Sequence, residues 1–451
     1  MREEIERTTI TKNVVPKSRK IKTKDPSRFL KAVKGMHDVL PADQPYWDRV
    51  DRVTRDIADA YGFSRIEPPV LEFAELFKKT EGEGTDVVEK EMYTLRTKGG
   101  DFLALRPEYT PSISRAYLEH NLGRASQPQK LYHFGPVFRH DNPQFGRYRQ
   151  FSQLGFEMIG GSNDPISDAQ IIAVFHRVLR ELKIRDVNLK INSIGCRVCR
   201  PIYKRQLVTY YKAGERDLCV ECIKRMKTNP LRLLDCKNEE CEKLKERAPN
   251  ILDKLCSMCC DHFKMVLEYL DELQIPYTLD NHLVRGLDYY NRTVFEVYTE
   301  GPGKEVGALP SGGRYDYLME LLGGHLTPAV GGACGVERLI LVMKAQEAKL
   351  PAKTAKRVFV AHAGELAKKR CLKLIEELRS AGVLTSEALA RESLKAQLKV
   401  ADREGAALAL ILGQKEIYEE GVIVRDLRTG LQETVPASRI VEEIKKRWRE
   451  G

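Results

Sequence analysis

The sequence predicts two folded domains, an α+β domain with a mainly antiparallel sheet and a smaller α/β domain at the C-terminal end. Three observations lead to this prediction. A chain of 451 residues is too long for one hydrophobic core. Up to about residue 345, extended β-branched segments follow one another with few helices between them, which favours antiparallel pairing. From Arg357 onward, strand-like and helical segments alternate, as they do in α/β domains.

The first predicted element is a helix that begins after Asp43, a residue type that favours helix N-termini. Apolar residues recur at spacings of three or four across 47–60 and form one face of this helix, which Gly62 ends. The stretch 66–72 contains Pro68-Pro69. We expect it to be extended, because each proline disfavours helix in the residue before it.

The remaining elements follow from the same periodicities. In the first domain we expect strands over 130–139 and 151–159, a helix over 168–182, extended segments over 283–299, a glycine-rich run at 306–313 and a helix from Gly335. In the second we expect strands at 358–362 and 407–412, a hairpin at 422–435, and helices at 365–380, 393–404 and 437–448. The predicted organisation is a basic N-terminal arm at 1–30, an α+β domain at 31–345 with a mainly helical insert at about 194–270, a linker at 346–356 and a C-terminal domain at 357–451.

The balance of charge indicates the kind of partner. The chain carries 75 basic and 64 acidic residues, a net charge of +11, which favours a polyanion such as RNA, although a solubilising surface explains it equally well. Residues 1–30 have nine basic and four acidic side chains, and are either a solvated tail or a weak attractor of RNA. No apolar run approaches the roughly 20 residues of a membrane span, so we expect a cytoplasmic protein.

Cysteines are concentrated in the predicted insert, where nine of the 11 fall between 196 and 260. Disulfides are not expected in a cytoplasmic chain. Cys196-x₂-Cys199 and Cys219-x₂-Cys222 are 19 residues apart, a spacing typical of a four-thiolate Zn²⁺ site. The sequence therefore predicts a structural zinc at these four residues, and the later cysteine pairs leave room for a second. The alternative is that the cysteines are small buried apolar residues without a metal.

Three arginine-centred segments are embedded in sheet-forming sequence, where a guanidinium group is costly to bury unless it meets an anion. They are 138–151 with Arg139, 284–290 with Arg285 and 331–339 with Arg338. Each alone has a plain structural explanation, as a surface loop, a hairpin corner or the start of a helix. No Walker-type loop or Rossmann glycine fingerprint competes with them for a nucleotide-binding role.

Taken together, these segments resemble the signature motifs of class II aminoacyl-tRNA synthetases. Phe138-Arg139 followed by Arg149-Gln150-Phe151 is similar to motif 2, Gly335-Val336-Glu337-Arg338 to motif 3, and Pro69 with its preceding helix to the dimer-forming motif 1. Within this class, the segments 85–93, 105–108, 153–157, 283–293 and 311–316 resemble the histidyl-tRNA synthetase family, and 357–451 resembles its anticodon-binding domain. The resemblance covers roughly residues 31–449.

The resemblance implies a roughly six- to seven-stranded antiparallel sheet flanked by helices, and a homodimer. The implied activity joins L-histidine to histidine tRNA with ATP and Mg²⁺, and involves neither DNA nor a membrane. The implied catalytic residues are Arg139 and Arg285, which bind the α-phosphate from two sides. The implied ATP-binding residues are Arg139, Asp141, Arg149, Phe151, Arg285 and Arg338, with Phe151 stacking on adenine.

The resemblance also implies a histidine pocket formed by Glu108, Tyr109, Thr110, Arg139, Gln153, Glu157, Arg285, Tyr289 and Tyr290. In this pocket Glu108 and Thr110 receive the α-amino end, which Gln153 orients, while Glu157 and Tyr290 recognise the two imidazole nitrogens. Two positions depart from the family pattern. Asp141 stands where many class II enzymes have Glu, and Tyr109 stands where Gly is expected, so its bulk is expected to alter the pocket edge.

Two other functions are compatible with such a fold. One is the regulatory paralogue of ATP phosphoribosyltransferase, which lacks the anticodon domain and loses pocket residues. The other is an RNA-binding or signalling module built on an inactive synthetase domain. The presence of 357–451, together with Arg139, Arg285 and Arg338, favours the enzyme over both.

Overall fold

The computed structural model describes residues 30–82, 85, 87–350 and 356–450. These residues belong to two compact units, one up to Leu350 and one beyond it. Except for Leu30, the predicted basic arm lies outside the described residues, as do residues 351–355 of the predicted linker. Within the described ranges, no helix combines the length and the apolar character that crossing a membrane requires.

The first unit contains a long antiparallel sheet, a small second sheet and the helical insert. Its strands are β1 (Ser64–Arg65), β2 (Leu71–Phe73), β3 (Thr94–Arg96), β4 (Phe102–Leu105), β5 (Gln129–Phe138), β6 (Gln150–Ile159), β7 (Val187–Ser193), β8 (Tyr277–Leu279), β9 (Asn291–Thr299), β10 (Ser311–Arg314) and β11 (Ala329–Gly335). Its helices are α1 (Gln44–Tyr61), α2 (Ala74–Glu81), α3 (Thr110–Glu119), α4 (Ile166–Glu181), α5 (Cys199–Ala213), α6 (Val220–Thr228), α7 (Glu239–Lys245), α8 (Ser257–Glu272), α9 (Leu318–Leu321) and α10 (Val336–Ala345).

The main sheet has the strand order β1-β5-β6-β11-β10-β9-β7-β8. From β5 to β7 all neighbouring strands pair antiparallel, whereas the short edge strands β1 and β8 pair parallel with their neighbours. The predicted mainly antiparallel sheet is therefore confirmed. The two edge strands raise its size to eight, above the expected six to seven.

The main apolar core lies between this sheet and the helices α1, α4, α8 and α10. Val50, Val53 and Ile57 lie on the predicted apolar face of α1 and are buried in it. Asp43 occupies the predicted N-cap position, but its side chain makes no capping hydrogen bond and instead contacts Lys344 of α10. This ion pair joins two helices that both lie behind the sheet.

The predicted extended segment 283–299 is a strand only from Asn291 onward, because the side chains before it serve other contacts. Arg285 pairs with Glu296 of β9, and the Tyr289 hydroxyl donates to the carboxylate of Glu108. A regular strand would turn alternate side chains to opposite faces. The irregular loop at 283–290 instead allows Arg285 and Tyr290 to line the same cavity.

The small sheet has the order β2-β4-β3 and buries only one of its faces. On that face Ala104 packs against Phe77 of α2. The opposite face carries Leu71 and Phe73, which lie across from Leu105 and Leu103 in register. Leu71 and Phe73 are 43% and 63% exposed, so this face is apolar and uncovered in the single chain.

The second unit forms the α/β arrangement predicted for the C-terminal segment. Its elements are β12 (Val358–His362), α11 (Glu365–Ser380), β13 (Thr385–Glu387), α12 (Leu394–Arg403), β14 (Leu408–Leu412), α13 (Gln414–Tyr418), β15 (Gly421–Asp426), β16 (Gln432–Pro436) and α14 (Ile440–Glu450). The sheet order is β13-β12-β14-β15-β16, with the first three strands parallel and the last two added antiparallel. The helical and strand periodicities thus predicted this unit closely.

Candidate active site

A polar cavity of about 500 Å³ opens on the main sheet of the first unit. Its walls come from β6, β9, β10, β11 and α10, from the loops around 108–110, 139–148 and 285–290, and from the insert. Nine of the 13 residues predicted to bind ATP or histidine line this cavity, namely Glu108, Thr110, Arg139, Asp141, Phe151, Gln153, Arg285, Tyr290 and Arg338. The fold therefore brings together segments that are up to 230 residues apart in the chain.

Arg139 and Arg285, the predicted catalytic pair, are each held by protein groups and still face the cavity. Arg139 Nε donates to the Pro107 carbonyl at 2.9 Å, and its guanidinium lies 5.7 Å from the centre of the Phe151 ring. Arg285 pairs with Glu296 and donates through Nη2 to Ser311 Oγ at 3.1 Å. These fixed positions are suited to a polyanionic ligand, because charge-assisted hydrogen bonds from arginine match phosphate geometry.

Arg338 occupies a third wall, at the start of α10. Its Nε donates to the Gly146 carbonyl at 2.9 Å and its Nη1 to the Ala308 carbonyl at 2.7 Å. Burial lowers the pKa of this guanidinium, but arginine stays protonated because its ordinary pKa is above 12. The adjacent Glu337 also lines the cavity and accepts the backbone N–H of Ser152 at 2.9 Å, which ties α10 to β6.

Glu108 forms the acidic end of the cavity. It is 5% exposed and accepts a hydrogen bond from the Tyr289 hydroxyl at 3.0 Å. Burial raises the pKa of Glu108 to about 7, while the nearby Arg139 guanidinium opposes the rise. A carboxylate that is costly to ionise alone is well placed to receive a cation such as an ammonium group, whose charge offsets the burial. Tyr289 does not itself line the cavity, and its contact with the site is this hydrogen bond to Glu108.

Glu157 lies beneath the cavity floor, fully buried on β6. Its two oxygens accept from Thr110 Oγ1 at 2.7 Å and from the Tyr315 hydroxyl at 2.6 Å, and burial raises its pKa to about 8. Gly331 lies directly across from it on β11, where a Cβ atom would come within 1.5 Å of Glu157 Oε2. The glycine therefore makes room for the carboxylate. Tyr315 was missed in the sequence, although it lies in the matched segment 311–316.

Two predicted residues point away from the cavity. Tyr109 is 1% exposed and stacks on His133 at 4.0 Å, with the Arg106 guanidinium 3.8 Å from the centre of its ring. Its bulk is accommodated behind the pocket, so the expected change of the pocket edge is not seen. Arg149 donates to the Asp141 carbonyl at 3.2 Å and does not line the cavity. Arg147 lines it instead, 3.0 Å from the Asp141 carboxylate.

The insert supplies one wall of the cavity, which the sequence did not predict. Its contributing side chains are Arg225, Arg232, Asp235 and Lys237. Three of these four are basic, so the wall adds positive charge to the arginine-lined site. Asp235 and Lys237 flank Cys236, and this position was the only signal in the sequence for these two residues; Arg225 and Arg232 have no such neighbour.

The cysteines of the insert form two clusters, and the predicted grouping is corrected by the structure. Cys196 and Cys199 meet the later pair Cys256 and Cys259, whereas Cys219 and Cys222 meet Cys236 and Cys241. The physical reason is the path of the chain. Helix α5 carries the chain away from Cys199 over 15 residues, and α8 begins beside the start of α5, so the first and last cysteine pairs of the insert meet.

A mainly antiparallel sheet with fixed arginines over a polar cavity and a separate α/β unit is the arrangement of a class II aminoacyl-tRNA synthetase. Family comparison narrows this class. The model of the histidyl-tRNA synthetase family matches residues 35–339, and that of the anticodon binding domain matches residues 357–447. The chain belongs to the histidyl-tRNA synthetase family.

Individual relatives agree with this assignment. The chain is 45% identical to a histidine–tRNA ligase of Dehalococcoides mccartyi, over 92% of this chain and 98% of the relative. It is 43% identical to one of Halothermothrix orenii, over 92% of this chain and 99% of the relative. The crystal structure of apo histidyl-tRNA synthetase from S. aureus superimposes with a TM-score of 0.78 at 32% identity, covering 92% of this chain and 99% of that one.

Proposed function

We propose that the chain activates L-histidine with ATP to form histidyl-adenylate and pyrophosphate, and then transfers histidine to its tRNA. The observation that carries this proposal is the cavity itself. It combines Arg139, Arg285 and Arg338 with the acidic Glu108 and the aromatic Phe151. The three arginines and Phe151 suit a nucleoside triphosphate, and Glu108 suits the ammonium group of an amino acid, so one site accommodates both substrates of the reaction.

In the first step, the histidine carboxylate attacks the α-phosphorus of ATP and pyrophosphate leaves. Negative charge grows on the phosphate oxygens in the transition state, and Arg139 and Arg285 stabilise it from fixed positions without a protein general base. Arg338 binds near the γ-phosphate, and Phe151 stacks on adenine. Glu337 lines the cavity with an oxygen ligand of the kind that Mg²⁺ prefers, and a bound Mg²⁺ would neutralise further phosphate charge.

Histidine is held by groups that match its own. The ammonium group is received by Glu108 and Thr110. As the resemblance implies, the imidazole nitrogens are recognised by Tyr290, which lines the cavity, and by Glu157, which lies behind Thr110. A dry pocket that satisfies both nitrogens rejects side chains without them by about 10⁴-fold. In the second step, a hydroxyl of the terminal adenosine of tRNA attacks the carbonyl of the adenylate, and AMP leaves.

Histidine-dependent exchange of pyrophosphate into ATP tests the first step. It also distinguishes the enzyme from the two alternative functions, a regulatory paralogue and an inactive RNA-binding or signalling module. The purified chain is expected to catalyse exchange with L-histidine, and not with phenylalanine at equal concentration. An inactive regulatory paralogue or a signalling module gives no exchange with either amino acid, which would reject the proposal.

The C-terminal unit is proposed to bind the anticodon region of the tRNA. Deletion of 357–451 is expected to leave histidine-dependent exchange measurable, because no proposed ATP or histidine ligand lies there. The aminoacylation of histidine tRNA is expected to fall steeply, since binding through two linked modules exceeds binding through one. The measurement compares exchange with charging in the same preparation, and unchanged charging after deletion would disprove the role assigned to this unit.

We also propose that the chain forms a homodimer through the uncovered face of the small sheet. This proposal is supported by the exposed apolar side chains Leu71 and Phe73 on β2 and Leu95 on β3, the two strands that flank β4, because apolar patches of this kind mark interaction surfaces. A second copy would cover them, as the resemblance to motif 1 implies.

Replacing Phe73 with Glu is expected to convert the dimer to a monomer, because the carboxylate would have to be buried without a partner. Sedimentation equilibrium measures the mass directly. The matched control is Leu372→Glu on α11, where the leucine is 59% exposed and belongs to the second unit. A dimer that persists in Phe73→Glu and dissociates in Leu372→Glu would place the interface elsewhere.

A further inference from the structure

The two cysteine clusters have the geometry of metal sites. Both lie in the insert. The one nearer to β7, called the strand cluster, consists of Cys196, Cys199, Cys256 and Cys259, and the one farther along the insert, called the insert cluster, consists of Cys219, Cys222, Cys236 and Cys241. In each cluster the four sulfur atoms lie within 4.8 Å of one another, and none forms a disulfide. Eight thiols in two compact groups of four are more than the packing of small apolar side chains requires.

The separations between the sulfur atoms identify the coordination that fits. Cys196 Sγ lies 3.7 Å from Cys199 Sγ and 3.9 Å from Cys256 Sγ, and Cys219 Sγ lies 3.9 Å from Cys236 Sγ. A tetrahedron with Zn–S bonds of about 2.3 Å has edges of about 3.8 Å. These distances suit one metal ion at the centre of each cluster.

Backbone N–H groups also point at the sulfur atoms. In the strand cluster, the N–H of Val198 donates to Cys196 Sγ at 3.4 Å and that of Cys256 to Cys199 Sγ at 3.1 Å. In the insert cluster, the N–H of Cys219 donates to Cys241 Sγ at 3.3 Å. Such donors stabilise thiolates, and outer contacts of this kind orient the ligands of metal sites.

We propose that the chain holds two structural Zn²⁺ ions, each bound by the four thiolates of one of these clusters. Zinc is the metal that tetrahedral four-thiolate sites in structural modules take. The grouping matters, because it closes the insert at two separate points. The strand cluster fastens the start of α8 to the start of α5 and the turn before it, and the insert cluster joins α6 and α7.

Each cluster adjoins one wall of the active-site cavity. Next to Cys199, Arg200 donates through Nη1 to the Tyr290 carbonyl at 2.8 Å. Next to Cys236, Asp235 and Lys237 line the cavity directly. The zinc ions thus stabilise the histidine side and the insert wall of the site without contacting a substrate.

Metal analysis of the full chain, purified without chelators, tests the number and kind of ions. We expect about two equivalents of zinc per chain, and an X-ray absorption spectrum with four sulfur neighbours at about 2.3 Å. Less than a tenth of an equivalent of zinc would reject both sites, and a single equivalent would reject one. Iron in place of zinc would overturn the choice of metal.

Two double variants test the grouping. If the clusters are correct, Cys199→Ser/Cys259→Ser removes two ligands of one site and leaves about one zinc, whereas Cys199→Ser/Cys222→Ser damages both sites and leaves none. If Cys196, Cys199, Cys219 and Cys222 instead form one site, as the sequence predicted, Cys199→Ser/Cys222→Ser leaves about one zinc and Cys199→Ser/Cys259→Ser leaves none. The matched control is Cys260→Ser, since Cys260 is exposed and outside both clusters, and it is expected to keep both ions. If a double variant fails to fold, the stoichiometry and absorption spectrum of the unmodified chain still decide the number and kind of ions.

Discussion

Replacing Arg285 with Ala is expected to lower the rate of histidyl-adenylate formation by about 10²–10³-fold, which corresponds to about 2.7–4 kcal/mol of transition-state stabilisation. The guanidinium is fixed by Glu296 and Ser311 before any ligand arrives, so it needs no reorganisation when charge develops on the α-phosphate. Histidine binding is expected to weaken less than the rate. Single-turnover formation of adenylate measures the chemical step directly.

The control must separate lost charge from lost structure, because Arg285→Ala also leaves the Glu296 carboxylate without its partner. Glu296→Gln breaks the same ion pair and retains the guanidinium. We expect it to lower the unfolding temperature as Arg285→Ala does, but to lower the adenylation rate by less than about tenfold. If Arg285→Ala keeps its rate within about threefold of the unmodified enzyme, the transition-state role is wrong. Equal rate losses in the two variants would show that Arg285 acts by shaping the loop at 283–290.

The fold could be predicted where periodicity and burial agree. The second unit is the clearest case, since α11 buries one face at helical spacing, from Ala367 to Leu378, and β14 is an unbroken apolar run buried along its whole length. The loop at 283–290 could not be predicted in the same way. Its residues have strand propensity, but contacts of Arg285 and Tyr289 with distant carboxylates override that preference.

Site residues could be predicted where they belong to a recognisable sequence motif. Arg139, Arg285 and Arg338 fall in three such motifs and all line the cavity. The insert wall and the grouping of cysteines depend on where α8 packs after the insert. That is a long-range contact, which local sequence patterns do not predict. Spacing alone allows Cys199 to pair with Cys222 as readily as with Cys259, so only the tertiary path decides between them.

Glu157→Gln is expected to reduce kcat/KM for histidine by about 10²–10³-fold, or about 2.7–4 kcal/mol, with little change in the KM for ATP. In its ionised form Glu157 can accept from Thr110, Tyr315 and an imidazole N–H together, because both of its oxygens are then acceptors. An amide has one acceptor oxygen, and its N–H groups oppose one of these donors. Exchange of pyrophosphate at varied histidine concentrations measures the loss.

In the absence of histidine, the difference in unfolding free energy between this variant and the unmodified chain is expected to depend on pH in a defined way. The pKa of Glu157 is raised from 4.5 in the unfolded chain to about 8 in the fold, so the folded protein binds the proton more tightly. Its stabilising contribution is therefore full below pH 4.5 and is lost as the pH rises toward 8. Glutamine does not titrate. The unfolding free energy of Glu157→Gln, relative to that of the unmodified chain, should therefore rise by on the order of 2–4 kcal/mol between pH 5 and pH 8. Urea unfolding at the two pH values measures this change.

Glu242→Gln is the control, since Glu242 is exposed on α7 and should give no such change. A variant that loses histidine activation but shows the same stability difference at both pH values would mean that Glu157 is ionised in the folded chain before histidine binds.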